Sequence, residues 1–139
     1  MEQAVTISTD KEMIDTDFVL NYLSKESYWA KGRREDRIQV AMDNSLCFGV
    51  YVNNKQVGFA RVASDYGVFA WIMDLFIAPS HQGKGHGKLL MKSILQHEDL
   101  QLISRWGLAT EDAHGLYKKY GFKELESPSN FMECLVKQE

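Results

Sequence analysis

The chain has 139 residues, 45% of them hydrophobic and 25% charged, with two prolines and a formal net charge of −3. That composition suits one compact domain over residues 1–139 with a full core and no linker or low-complexity segment, and its slight acidity argues against nucleic acid as the main partner. The first twenty residues hold Glu2, Asp10, Lys11, Glu12 and Asp15, so they are neither a signal peptide nor a membrane span, and a cytoplasmic location is expected.

A short strand is predicted around Ala4–Ser8, then a first helix that starts near Asp15–Asp17 and carries Phe18, Leu20, Tyr22 and Leu23. "SYWAKGRREDRIQVAMDNS" passes through Gly32 into a charged helix with Ile38, Ala41 and Met42 on one face. "LCFGVYVNNKQVGFARVAS" reads as two strands joined at Asn53-Asn54, because asparagine tolerates the left-handed conformation of a tight hairpin. The apolar run "VFAWIMDLFIA" is expected as a central strand covered on both faces, interrupted by Asp74 alone and ended by Pro79. Gly87, Leu90, Met91, Ile94 and Leu95 recur at helical spacing and form a stripe that must pack on the sheet. "LQLISRWGLAT" supplies a further strand. "EDAHGLYKKYGF" supplies a last helix with Ala113, Leu116, Tyr117 and Tyr120 on one face and Gly121 as its stop. Phe122–Leu125 and Phe131–Val136 are expected to close the chain as a strand pair. Cys47 and Cys134 lie far apart without metal-ligand spacing and are expected as two buried, reduced thiols, with no metal site. Strands and helices alternate irregularly without an internal repeat, which indicates an α/β fold with a mixed sheet rather than a doubly wound one.

The turn "HQGKGHGK" between the central strand and the striped helix carries the clearest chemical signal. It does not match G-x-G-x-x-G, which would need glycine at Lys88 or Leu90, and it lacks the glycine offset of a P-loop. What remains is Gln82-x-x-Gly85-x-Gly87. Glycine at 83, 85 and 87 lets the backbone approach a ligand and turn its N–H groups inward, and those donors continue into the unpaired first turn of a helix. Lys84 and Lys88 face the positive end of the helix dipole, which costs about 0.3–1 kcal/mol each unless an anion is bound. The pattern points to a cradle for a diphosphate; a plain strand-to-helix turn beside a solvated lysine face is the alternative.

This turn after an apolar strand, with "LYKKYGF" near the C-terminus, resembles the Gcn5-related N-acetyltransferase (GNAT) family over nearly the full chain. The resemblance implies a GNAT-type α/β fold: a mixed, mostly antiparallel, twisted sheet splayed at a central strand bulge, with helices on both faces. It implies acetyl-CoA or coenzyme A as cofactor, its pyrophosphate on the backbone of Gln82, Gly83, Lys84, Gly85, His86, Gly87 and Lys88. By the same resemblance the pantetheine arm pairs with the backbone of Leu75, Phe76 and Ile77. Asp112 stands where relatives often carry a cofactor-touching asparagine, a helix cap being its other reading.

Acetyl transfer to an amine needs a neutral nitrogen and a thiolate that can leave. A lysine-like amine, with a pKa near ~10.4, must lose a proton first. Asp74, the one charged residue between Trp71 and Ile77, is the leading base; His114 and water are alternatives, and a structural carboxylate at the bulge is the competing reading. Relatives that place a base at the positions of Trp71 or Met73 find none here. The resemblance selects Tyr117 over Tyr120 as proton donor to the leaving sulfur. Tyr28 and Trp29 are expected to wall an acceptor pocket and Arg33 to meet a carboxylate or phosphate. The implied function is acetyl-CoA-dependent N-acetylation of a small-molecule primary amine through a ternary complex. No nucleic-acid or membrane partner and a monomer or homodimer are expected, and a non-catalytic acyl-CoA-binding or sensing module is the alternative.

Overall fold

The structure, a computed structural model, describes residues 4–111 and 113–138, and its chain forms two compact units, Met1–Ala109 and Thr110–Glu139. In the first unit five strands form one open sheet in chain order: β1 (Val5–Ser8), β2 (Leu46–Val52), β3 (Lys55–Ser64), β4 (Phe69–Ile77) and β5 (Arg105–Leu108). The first three pairings are antiparallel and β4–β5 is parallel, giving the expected mixed, mostly antiparallel sheet. At the β2–β3 hairpin Asn53 and Asn54 hold φ of 50° and 71°, both left-handed as a two-residue hairpin demands.

Alternation along the strands sends Cys47 and Phe59 to one face of the sheet, where they meet Val19, Leu23, Ile38, Met42 and Phe76 in a core cluster. Helix α1 (Thr16–Asn21) starts where Asp15 accepts from the Phe18 amide at 3.2 Å, and it widens into a π-helical turn over Tyr22–Glu26. Helix α2 (Glu35–Asp43) contributes Ile38 and Met42 to this face. Helix α3 (His86–Leu95) buries Leu90, Met91 and Ile94, and His97 just beyond its end meets the Phe48 ring edge-on at 5.5 Å, on the face opposite Cys47. Helices thus cover both faces.

Strand β4 is irregular at its centre. Met73 pairs with Arg61 and Phe76 with Phe59, so Asp74 and Leu75 together oppose the single residue Ala60. This is a β-bulge, and Asp74 holds a left-handed φ of 55° that a non-glycine residue adopts at a cost of about 1–3 kcal/mol. On the other edge the parallel ladder ends at Ile72–Leu108. From Met73 onward β4 has no β5 partner, so the sheet opens where the bulge lies.

In the second unit helix α4 (His114–Lys118) is shorter than expected. The amide of Ala113 finds Thr110 Oγ1 at 3.2 Å. Gly121, with φ of 92°, ends the turn as expected, its amide donating to Lys118 and that of Phe122 to Tyr117. The closing strand pair does not form among the described residues: 131–138 is irregular, and Pro128–Asn130 makes a 3-10 turn. Met132, Cys134 and Val136 are spaced by two, but Phe131 and Leu135 fall on the opposite parity, so no single strand face could bury all five. Cys134 is accordingly exposed, against the expectation of two buried thiols, whereas Cys47 is buried and its thiol is pushed up to about 11, chiefly by burial. No described helix is long and apolar enough to cross a membrane.

Candidate active site

The glycine turn and the strand bulge are the two chemically unusual places in the first unit. Gly83 and Gly85 hold φ of 76° and 84°, and Gly85 is the residue from which α3 starts, with no side-chain cap. The amides of Gly83, Lys84, Gly85, His86 and Gly87 make no hydrogen bond to any described residue. Five consecutive donors at the start of a ten-residue helix are a site for anionic oxygens. A Cβ at Gly83 or Gly85 would meet no atom within 4 Å, so open space lies over the turn; at Gly87 it would only touch Ile77 at 4.0 Å. These residues fit a diphosphate. Gln82 has a different task, since its Nε2 donates to the Ile77 carbonyl at 2.9 Å and ties the turn to the end of β4.

The bulge gathers residues from four segments. Asp74 Oδ1 accepts from the Trp29 indole at 2.8 Å, Oδ2 accepts from Arg61 Nε at 2.6 Å, and Arg33 Nη1 reaches both oxygens at 3.4 and 3.2 Å. Arg61 also donates to Ser45 Oγ at 3.3 Å. Trp29 stands between Tyr22 and Tyr28, and Tyr22 stacks on Phe76 at 3.9 Å, which carries the aromatic row onto β4 beyond the bulge. Burial first, and then Glu26, raises the Tyr22 hydroxyl above its ordinary range.

Three of the residues singled out from the sequence, Trp29, Arg33 and Asp74, therefore meet in one cluster, while Tyr28 lies on its exposed side. Arg61 joins them, buried and central. The only cue was its even spacing from Phe59 on the face that turns inward. The carboxylate is spoken for: three donor groups, in four contacts, two on each oxygen, engage the roughly four acceptor positions of Asp74. The bulge carboxylate is thus bonded to arginines and an indole rather than to backbone.

In the second unit Tyr117 is buried and meets Phe122 edge-on at 6.1 Å. His114 Nε2 lies 2.9 Å from the Thr110 carbonyl. Gly115 is not crowded by any described atom, and Asp112 lies outside the described residues.

The acetyltransferase (GNAT) domain family model matches residues 43–124, which takes in the bulge, the glycine turn and Tyr117. The chain belongs to the GNAT acetyltransferase family. A crystal structure from Xanthomonas campestris pv. campestris, described as a GNAT-family acetyltransferase, is 45% identical, covers 96% of this chain and 94% of that one, and superposes with a TM-score of 0.92. FG08082 of Gibberella zeae, a protein named as an acetyltransferase, is 28% identical over 85% of this chain and 78% of its own length. The uncharacterized N-acetyltransferase ycf52 of Pyropia yezoensis is 35% identical over 76% of this chain and 63% of that one. For this GNAT chain the sheet, its bulge and the glycine turn thus follow the architecture that the sequence led one to expect.

Proposed function

We propose that this protein is an acetyl-CoA-dependent N-acetyltransferase that moves an acetyl group directly to a primary amine of a small molecule. The observation that carries the reading is the run of unpaired amides from Gly83 to Gly87, beside a β4 edge left open beyond Ile72. Acetyl-CoA, when bound, supplies an activated acetyl thioester. The amides of Gly83–Gly87 hold its diphosphate, with Lys84 adding positive charge, and the open edge of β4 at Leu75, Phe76 and Ile77 offers backbone groups to the extended arm.

In the transfer the amine nitrogen bonds to the acetyl carbon, the carbon–sulfur bond breaks, one amine proton leaves and the sulfur gains one. Tyr117 is the proposed donor of the second proton. For the first, Asp74 has no acceptor position to spare, so we assign the proton to water and give Asp74 the task of holding the bulge. A non-catalytic acyl-CoA-binding module is favoured by that same saturation of Asp74. Release of free thiol from acetyl-CoA across a panel of primary amines, with the exposed Cys134 subtracted in an enzyme blank, separates the two. Amine-dependent thiol supports transfer; acetyl-CoA binding without thiol from any amine supports the binding module.

A further inference from the structure

The cluster at the bulge does not balance in charge. Two guanidinium groups, Arg33 and Arg61, share Asp74, the one carboxylate that bonds to either among the described residues. Guanidinium stays protonated at any working pH, so the group carries one excess positive charge. Burial makes that costly: the side chains of Asp74 and Arg61 are 2% and 9% exposed, and only Arg33, at 22%, reaches the surface. No other described carboxylate bonds to either arginine. Asp36 is exposed and pairs with Arg34, and Asp43 is exposed and accepts from Gln39.

The donors are also left over in a particular place. Asp74 takes Arg33 Nη1 and Arg61 Nε, and Ser45 takes Arg61 Nη1; Arg33 Nε and Nη2 meet no described acceptor. The edge of Arg33 turned away from Asp74 is a two-donor fork, a geometry that matches the paired oxygens of a carboxylate or phosphate. Asp74 fixes that fork from behind, Trp29 is anchored to the same carboxylate, and Tyr28 packs edge-on against Trp29 at 5.1 Å. The fork, the aromatic pair and the point where β4 parts from β5 therefore lie together.

We propose that the acceptor of this enzyme is an anionic amine, one that carries a carboxylate or phosphate a short distance from its amino group, and that Arg33 receives that anionic group. This rests on the N-acetyltransferase reading and narrows its substrate class. It also assigns the Asp74–Arg61 pair a purpose: they hold Arg33 in a charged, oriented state, and the acceptor completes the charge balance.

The test uses matched pairs of amines. Amino acids are compared with their methyl esters, and phosphoethanolamine with ethanolamine, by thiol release at saturating acetyl-CoA and by calorimetric titration of each amine without acetyl-CoA. The anionic member of at least one pair is expected to exceed its neutral twin by about tenfold or more in kcat/KM and in affinity, as for a charge-assisted fork; which pair responds separates carboxylate from phosphate. Arg33→Met should bring the ratio within a pair close to one, and Arg33→Lys, which keeps the charge without the fork, should restore part of it. Neutral twins that equal or exceed the anionic ones in wild-type protein overturn the proposal, with no variant needed; so does an unchanged ratio in a folded Arg33→Met. Anion-selective binding without thiol release supports the anion site and overturns the transferase reading alone.

Discussion

The glycine turn and the strand bulge lie at opposite ends of the same half of β4, and they are built by opposite means. The turn is made of backbone: left-handed glycines, five amides without acceptors and open space above them. The bulge is made of side chains: a carboxylate with all its acceptor positions filled by residues 29, 33 and 61, in a strained conformation. The turn leaves its donors open, whereas at the bulge Asp74 already has its partners and only the outer edge of Arg33 stays open. The difference shows where function is stored: stability should sit in the bulge, and affinity in the turn.

Substitutions should separate the two. Asp74→Ala removes the one carboxylate between two arginines and leaves buried charge unpaired, so a loss on the order of 3–5 kcal/mol is expected in chemical denaturation. A loss below about 1 kcal/mol would show that the arginines find other partners and that the bulge is not held this way. Gly85→Asp acts on the other member. It places a side chain at φ of 84° and a negative charge beside the diphosphate, so acetyl-CoA affinity should fall at least about a hundredfold, while stability drops by only about 1–2 kcal/mol. If Gly85→Asp binds normally, the turn is a structural corner.

The turn was legible in the sequence because everything it uses is local: Gly83, Gly85 and Gly87 in alternate positions, and lysines at the wrong end of a helix. The helical stripe of Leu90, Met91 and Ile94 and the Asn53-Asn54 hairpin were legible for the same reason. The bulge cluster was legible only in part. Asp74 stood out as a charge in an apolar strand, but its partners are 13, 41 and 45 residues away, and only the even spacing from Phe59 hints that Arg61 turns inward. The closing strand pair is absent although Met132, Cys134 and Val136 alternate, because Phe131 and Leu135 put apolar groups on the opposite parity and no single face can bury them all.

Two smaller effects sharpen the account. Tyr117→Phe keeps the ring that meets Phe122 and removes only the hydroxyl, so initial rates on an accepted amine should fall by about 10²-fold with acetyl-CoA affinity nearly unchanged, whereas Tyr120→Phe should stay within about a few fold. A wild-type rate for Tyr117→Phe would leave it a packing residue. The smallest effect is a proton. Burial first, and then Lys84, His86 and Lys55, hold the His81 imidazole below its ordinary range. A diphosphate in the turn opposes those cations and raises it again, so binding should take up a fraction of a proton and tighten as pH falls through the titration of His81. Calorimetry in buffers of different ionisation heat reads that uptake; proton release on binding would contradict it.

The central claim is that the unpaired amides of Gly83–Gly87 hold the diphosphate of coenzyme A. Equilibrium titration of the unmodified protein with coenzyme A, acetyl-CoA, ATP and NAD tests it most directly. The account predicts saturable binding of both CoA species and at least about tenfold weaker binding of ATP and NAD, because only the CoA species carry an extended arm to pair with β4 beyond Ile72. Equal affinity for ATP, or no affinity for either CoA species, would contradict it.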